Sequence, residues 1–265
     1  MKRSGAIVKS GSPERFGYEW DRYSVLKPEY EEQFRRWLPF YRPHDWVGKR
    51  FMDVGCGMGR NSYWPMSYGA AGGVAIDVDE RSLAAARRNL APFSTVEVRH
   101  MSAYDIDAID AFDIAFSIGV IHHLEAPGQA LARMRSAVKP GGEVAIWVYG
   151  WENNGWLLWV LNPLRKVLFS RLPISVVHAL SLVPTALLWV VLRMGLGRIE
   201  YFRLIRGFSF THLRSIVFDQ MLPRIAHYWR KDEVKALLRN AALEDIELAW
   251  VNEMSWAARG RRPDK

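Results

Sequence analysis

The chain has 265 residues, of which 49% are hydrophobic, so it can build a full core and general disorder is excluded. Its single Cys excludes a disulfide framework and a Cys-rich metal site, and favours a reducing, cytoplasmic compartment. The net charge of +8 is compatible with nucleic acid, anionic lipid or an acidic substrate, so the position of the charge matters more than its total.

Residues 1–44 are expected to form an N-terminal arm and an aromatic cap helix. After a polar start, residues 16–23 are dense in aromatic and charged side chains, and helical spacing continues until two prolines stop it. This helix either packs on the main domain or forms an aromatic flap over a bound cofactor or substrate. On the second interpretation, Tyr18 and Trp20 are candidate substrate contacts.

Residues 45–150 alternate between strand and helix patterns. The fourth predicted strand is a continuous apolar run, as expected for a strand buried on both faces. Asp79 is placed to cap the helix that follows the second strand. The alternation predicts an α/β fold with a parallel, doubly wound sheet. The predicted strands are 49–54, 73–78, 95–99, 112–117 and 143–149, and the helices between them are 61–69, 83–90 and 128–138.

The alternation breaks after residue 150. Residues 151–207 are apolar, interrupted by prolines, and are predicted to be a helical insertion after the fifth strand. Residues 208–265 are predicted to return to the core, with a helix at 231–240. Strand patterns at 246–251 and 254–258 complete a sheet better than they build a separate domain.

The first strand ends in an acid and a glycine-rich turn. Gly55, Gly57 and Gly59 follow Asp53 with the spacing G-x-G-x-G, which differs from the G-x-G-x-x-G of dinucleotide binders. Glycine accepts positive φ and allows a cofactor to approach the backbone closely. Asp77 ends the second strand 18 residues beyond Gly59, where doubly wound folds place an acid against ribose hydroxyls.

Together these motifs resemble class I S-adenosylmethionine-dependent methyltransferases, especially the type 11/12 group similar to ubiquinone and menaquinone biosynthesis methyltransferases. The resemblance covers roughly residues 45–150 and 228–258. It implies a Rossmann-like, seven-stranded sheet, S-adenosylmethionine as the cofactor and methyl donor, S-adenosylhomocysteine as its product, and no metal. The stretches that carry it are Met52–Gly59, Ala75–Asp77, Phe112–Leu124 and Leu131–Gly142.

The resemblance also implies roles for individual residues. At Gly55 and Gly57 the backbone would run close to the methionine part of the cofactor, and Asp53 would lie near its amino group. Asp77 would hold the ribose. Many relatives have an Asp after the third strand for the adenine amine, whereas this chain has Ser102. The implied cofactor-binding set is Asp53, Gly55, Cys56, Gly57, Asp77, Val78, Ser102, Ala103, Ser117 and Ile118.

Methyl transfer needs an in-line nucleophile and only sometimes a base, because the sulfonium already activates the methyl group. His122, His123 and Tyr149 are the candidate catalytic residues, since they follow the fourth and fifth strands. The two histidines are more readily explained as residues that bond the backbone or cap a helix. Two adjacent histidines do not share a ligand face, so no metal site is predicted. Further candidate substrate contacts are Glu152, Asn153 and Tyr228.

The insertion holds most of the net charge. Residues 174–192 carry no formal charge and are long enough to span a bilayer. A single span would separate the last strands from their sheet, so the segment is expected to be an apolar lid or to lie in the membrane interface. Residues 165–206 contain seven Arg or Lys and one Glu, a net charge of +6. Such flanks favour an anionic leaflet on the inner membrane face.

The predicted function is methyl transfer from S-adenosylmethionine to a small, hydrophobic or lipid-like acceptor. The sequence does not distinguish oxygen, nitrogen or carbon as the methylated atom, and it does not predict the oligomeric state. An RNA methyltransferase is the alternative within the class, favoured by the basic charge but opposed by its clustering around apolar sequence. A non-catalytic accessory protein that binds S-adenosylmethionine is the alternative from another class.

Overall fold

The computed structural model describes residues 13–155, 157–195 and 200–264. Its centre is a seven-stranded sheet of order β3-β2-β1-β4-β5-β7-β6. The pairs from β3 to β5 are parallel, and β7 runs antiparallel to both β5 and β6. The predicted seven-stranded α/β fold is therefore confirmed. The strands are β1 Arg50–Val54, β2 Gly72–Asp77, β3 Val96–His100, β4 Phe112–Ile118, β5 Val138–Tyr149, β6 Glu244–Val251 and β7 Ser255–Arg261.

Helices cover both faces of the sheet, and a second group follows β5. Asp79 caps α4 by accepting hydrogen bonds from the amides of Arg81 and Ser82, as predicted. The helices that surround the sheet are α1 Pro13–Arg22, α2 Glu29–Trp37, α3 Arg60–Ser67, α4 Glu80–Leu90, α5 Pro127–Ala137 and α11 Lys231–Asn240. The later group is α6 Asn162–Leu164, between two π-helical turns, α7 Ile174–Leu180, α8 Leu182–Arg193, α9 Glu200–Ile205 and α10 Phe210–Met221.

The fifth strand is longer than predicted. Residues 139–142, which separate the predicted helix 128–138 from the predicted strand 143–149, belong to β5, and the register of β5 on β4 shifts there. The Gly141 amide donates to the Arg262 carbonyl, and the Arg262 guanidinium donates to the Val138 carbonyl. Arg262 lies at the far end of the chain, so the local sequence gives no signal for this extension.

An aromatic cluster holds the N-terminal helices to the sheet. Phe34 of α2 packs against Trp46 and Phe116, with ring centroids 5.9 and 6.2 Å away. Phe51 of β1 lies 5.8 Å from the Phe116 ring. All four side chains are buried, so this cluster anchors α2 beneath the sheet.

We call the described residues 157–195 and 200–221 the cap. Its helices pack against one another: Val177 of α7 lies with Phe218 of α10, and Leu192 of α8 lies with Leu213 of α10. Within the described ranges, one helical stretch, Ile174–Arg193, is long and apolar enough to cross a membrane, although core helices of soluble proteins can pass the same test. Only 22% of its most apolar 18 residues are buried.

Phe116→Ala tests the aromatic cluster. Removing this buried ring should lower the free energy of unfolding by about 3–5 kcal/mol, through lost burial and the cavity left behind. Urea unfolding followed by circular dichroism measures the change. Ile109→Ala is the control, because Ile109 is 73% exposed and its replacement should change stability by less than about 0.5 kcal/mol. Equal effects of the two substitutions would contradict the assignment.

Candidate functional site

The glycine-rich turn between β1 and α3 has its backbone held by the end of β2. The amides of Gly55 and Cys56 both donate to the Ile76 carbonyl, at 2.9 Å. Gly55 and Gly57 have φ values of +79° and +53°, which favour glycine. A Cβ on Gly55 would lie 2.4 Å from Val120, so the close approach also requires glycine there. The turn is thus packed tightly against the loop after β4.

Asp77 ends β2, and its carboxylate accepts three hydrogen bonds from backbone amides. Its Oδ2 accepts from the Gly57 amide at 2.9 Å, and its Oδ1 accepts from the amides of Val78 and Asp79. Burial raises the pKa of this carboxyl, while the three N–H donors oppose that rise. Each oxygen retains acceptor capacity, and Asp77 and Val78 line the large cavity described below. The carboxylate is therefore in place to accept hydrogen bonds from hydroxyls.

Asp53 lies behind the turn instead of on the cavity wall. Its Oδ2 accepts from the Ser62 hydroxyl at 2.6 Å, whereas its Oδ1 is buried with no hydrogen-bond partner among the described residues. Burial raises its pKa to about 7. Nearby, Asn61 lines the cavity and its buried Oδ1 also has no partner in the described part of the chain. The Asn61 Oδ1 is thus an unpaired acceptor on the cavity side of the turn, whereas Asp53, expected to lie near the cofactor amino group, is enclosed behind the turn.

The segment after β3 closes another side of the cavity. Met101, Ser102 and Ala103 all line it. The Ser102 hydroxyl accepts from the Tyr104 amide at 3.2 Å, so it stabilises its own turn. A hydroxyl oxygen has a second lone pair, and Ser102 remains a candidate partner for the adenine amine.

One cavity of about 680 Å³ joins the glycine turn to the cap. At one end it is lined by the turn and Asp77, and at the other by apolar side chains of the cap. Leu164 both lines the cavity and is 42% exposed, so the cavity reaches the surface beside the cap. The apolar residues at the cap end are Leu161, Leu164, Phe169, Leu188, Phe202, Leu204, Ile205 and Ile216.

Helix α1 lies across the cavity. A Cβ on Gly57 would be 3.1 Å from the Trp20 indole nitrogen, so this indole covers the glycine turn. Phe16 lies 5.0 Å from the His123 ring, between ring centroids. Helix α1 therefore fits both interpretations of the aromatic segment 16–23, because it packs on α4 and also covers the cavity.

The two histidines have different surroundings. His123 lines the cavity, and its Nδ1 donates to the Ile225 carbonyl at 2.7 Å, because a carbonyl oxygen can only accept. Burial lowers its pKa to about 3, so it is neutral at physiological pH. His122 does not line the cavity, and burial lowers its pKa well below the usual range. Its ring packs on Tyr149 with centroids 3.8 Å apart.

Two neighbouring carboxyl groups line the cavity, Glu19 from α1 and Asp219 from α10. Glu19 is buried and Asp219 is half-buried, and removal from water raises the pKa of both. Tyr149, at the end of β5, lies 3.4 Å from Asp219 and accepts from the Gln220 amide at 2.7 Å. The pKa of Tyr149 is raised well above its usual value by burial, so its hydroxyl stays protonated.

Arg60 and Arg165 both lie near this pair. The Arg60 guanidinium lies 4.9–5.1 Å from the ring centroids of Trp20, Tyr30 and Trp37. Its charge lowers the pKa of Glu19 and partly offsets the effect of burial. Arg60 therefore partly neutralises the acidic wall of the cavity.

Several of the other predicted residues lie away from the cavity lining. Ser117 is buried and its hydroxyl donates to the Val54 carbonyl. Glu152 accepts from the Trp256 indole, and the Asn153 side chain donates to the Glu253 carbonyl. Tyr228 accepts from Arg165, and Tyr18 packs edge-on against Phe218. Ile118, Trp20 and Tyr149 do line the cavity.

Sequence reasoning missed Glu19, Arg60 and Asp219. Glu19 lies between Tyr18 and Trp20 in the aromatic segment 16–23. An acid between two candidate substrate contacts could have indicated a role in the site. Asp219 carries no local signal, because its partner is 200 residues away in sequence. Within the described part of the chain, no group of three or more His, Cys, Asp or Glu side chains could hold a metal ion.

Comparison with known proteins agrees with this geometry. Residues 52–146 match the family described as Methyltransferase domain. The chain is 35% identical over 130 residues to the ubiquinone biosynthesis O-methyltransferase of Aromatoleum aromaticum, covering 47% of this chain and 54% of that protein. It is 31% identical over 109 residues to the tRNA U34 carboxymethyltransferase of Klebsiella pneumoniae, covering 39% of this chain and 33% of that protein.

Solved structures share the fold. Human N-acetylserotonin methyltransferase, solved with S-adenosylmethionine, has a TM-score of 0.56 at 13% identity, covering 94% of this chain and 56% of that chain. A Haloferax volcanii putative methyltransferase, solved with the Trm112 activator, has a TM-score of 0.57 at 13% identity, covering 95% and 98%. By the family match over residues 52–146, its sheet order and its glycine turn with Asp77, the chain contains a methyltransferase domain and is similar to the class I S-adenosylmethionine-dependent methyltransferases.

Proposed function

We propose that the protein transfers a methyl group from S-adenosylmethionine to a small acceptor with a large apolar part. The observation that carries the proposal is the single cavity, which joins the glycine turn to the apolar side of the cap. When bound, S-adenosylmethionine supplies an electrophilic methyl group. The chain contributes the position of both reactants and the exclusion of water.

The cofactor end is built from three features. Asp77 offers carboxylate acceptors for the ribose hydroxyls, and the Gly57 backbone leaves room beside it. The unpaired Oδ1 of Asn61, which lines the cavity, supports a place for the ammonium, since a buried lone acceptor is costly until a donor reaches it. Ser102 supplies an acceptor on the adenine side.

The acceptor end favours an apolar molecule. Leu164, Phe169, Leu188 and Phe202 line it, and burying apolar surface contributes roughly 25 cal/mol per Å². A quinone precursor, an isoprenoid or a lipid-like compound would match this lining. Oxygen is the methylated atom in the proposal developed below.

RNA is the second candidate acceptor. It is favoured by the tRNA U34 carboxymethyltransferases among the relatives, although these matches cover about a third to a half of each relative. The apolar cap end of the cavity opposes it, because nucleic-acid sites combine basic grooves with stacking aromatics.

Asp77→Ala should weaken the binding of S-adenosylhomocysteine by at least about tenfold, because charge-assisted hydrogen bonds to the ribose are lost. Isothermal titration calorimetry measures the dissociation constant. Asp105→Ala makes the same chemical change at an exposed position and should leave binding unaltered. No binding by the unaltered protein, or equal binding by both variants, would show that the cofactor site is misassigned.

Leu188→Trp should block the cap end of the cavity. Leu188 lines the cavity, whereas its neighbour Leu187 points outward and is 64% exposed. With the protein saturated with S-adenosylhomocysteine, Leu188→Trp should weaken binding of the probe 4-octylphenol by about tenfold through overpacking. Leu187→Trp is the matched control and should bind the probe normally. If both variants bind it equally, the apolar acceptor does not occupy this end.

A further inference from the structure

The Glu19–Asp219 pair is a buried acidic site that no cofactor contact uses. Glu19 is 2% exposed, lines the cavity, and its Oε2 has no hydrogen-bond partner among the described residues. Asp219 lies beside Glu19 and also lines the cavity, and burial together with the charge of Asp219 raises the pKa of Glu19. Two neighbouring carboxyl groups removed from water share one proton, because two negative charges side by side are costly.

The position of the pair links it to both ends of the cavity. Glu19 precedes Trp20, which covers the glycine turn. Asp219 lies on α10 of the cap and contacts Tyr149 at the carboxyl end of β5. An acceptor with its apolar part against the cap would therefore bring its polar end to the pair.

We propose that the Glu19–Asp219 pair binds the hydroxyl group of the acceptor and takes up its proton during methyl transfer. This inference rests on the proposed function. Oxygen forms a bond to the methyl carbon, the sulfur–carbon bond breaks with its electrons left on sulfur, and the hydroxyl proton is released. The carboxylate of the pair accepts that proton, so that both carboxyl groups are then neutral.

Charge balance supports this step. Before transfer the pair carries one negative charge, and afterwards both carboxyl groups are neutral. The positive charge of the donor disappears in the same step. No isolated charge is left in the buried cavity, where an unpaired ion would be costly. Arg60 remains within its aromatic cage and need not change its charge.

The shared proton can be detected without any acceptor. Infrared spectroscopy of the unaltered protein at pH 7 should show the carbonyl stretch of a protonated carboxyl, and Glu19→Gln and Asp219→Asn should each alter it. Glu14→Gln is the control, because Glu14 is an exposed acid on the same helix. A spectrum that neither variant changes would overturn the shared proton.

Recognition of the hydroxyl is tested by comparing 4-octylphenol with its methyl ether, 4-octylanisole. With S-adenosylhomocysteine bound, the protein should prefer the phenol by about tenfold, and Glu19→Gln or Asp219→Asn should reduce the preference to about twofold. Both variants should still bind S-adenosylhomocysteine, which shows that they fold. Equal binding of phenol and ether, or no binding of either, overturns this inference, whereas failure to bind S-adenosylhomocysteine overturns the proposed function.

A second observation concerns the outer side of the cap. We call the exposed apolar side chains of α7 and α8 the outer face. The side chains of this face are 41–69% exposed, although the opposite side of the same helices already packs on α10. An apolar patch of this kind marks a surface that binds another apolar surface. Its members are Val176, Leu180, Leu182, Val183, Leu187, Val190, Val191 and Met194.

The outer face is flanked by positive charge. Arg171 precedes α7, Arg193 ends α8, and Arg203 follows on α9, and all three are exposed. The acid of this region, Glu200, is paired with Arg36. Apolar side chains bordered by exposed basic residues match an anionic bilayer surface.

We infer that the outer face docks in the interface of an anionic membrane. Val177 and Leu192 attach the two ends of the α7–α8 stretch to α10, so the stretch lies along the surface of the protein instead of leaving it. The cavity reaches the surface beside the cap, where Leu164 both lines it and is exposed. An apolar acceptor could thus pass from the bilayer into the cavity.

Vesicle flotation tests this docking. The protein should float with vesicles containing phosphatidylglycerol, float less with pure phosphatidylcholine, and lose binding as salt rises. The double variant Leu187→Asp/Val191→Asp should reduce flotation at least about tenfold. Ile109→Asp is the control, since Ile109 is equally exposed but outside the cap.

Two outcomes would overturn membrane docking. One is a protein that stays unbound to anionic vesicles at low salt. The other is a dimer in sedimentation experiments that the double variant dissociates, because the occupant would then be a second copy of the chain. Binding of S-adenosylhomocysteine is measured in parallel and should be the same in the double variant, which separates this test from that of the proposed function.

Discussion

The hydrogen bond from the Gly57 amide to the Asp77 carboxylate is the interaction on which the cofactor site depends. It joins the turn after β1 to the end of β2 and is reinforced by the amides of Val78 and Asp79. A buried carboxylate with three N–H donors is held rigidly, so its remaining lone pairs point in defined directions. The positive φ of Gly57 makes the geometry possible, and Trp20 then covers the turn.

Buried acids give the cavity its electrostatic character. Asp53, Asp77, Glu19 and Asp219 all have a raised pKa, chiefly because they are removed from water. Arg60 is the cation that lies among the aromatic side chains beside them. Such a site is complementary to a cofactor that carries a sulfonium and an ammonium, since each positive charge relieves the burial of a carboxyl group.

The cap combines two apolar surfaces on one pair of helices. The side chain of Leu188 faces the cavity, whereas that of Leu187 faces outward. A helix that is apolar all round is stable only when both sides are covered. The body of the protein covers one side of α7 and α8 through α10. The other side is the outer face, which is proposed to bind a membrane. The Glu19–Asp219 pair is proposed to bind the polar end of the acceptor.

The fold class, the glycine turn and Asp77 can be predicted from the amino-acid sequence, because they depend on short motifs and on the period of apolar residues. Helix α11 is predicted at its observed bounds for the same reason. The extension of β5, where Arg262 donates to the Val138 carbonyl, and the proximity of Glu19 to Asp219 appear only in the folded chain. The tertiary structure also places His123 on the cavity and His122 behind it. These features arise from contacts between distant parts of the chain, and local sequence patterns do not identify such partners.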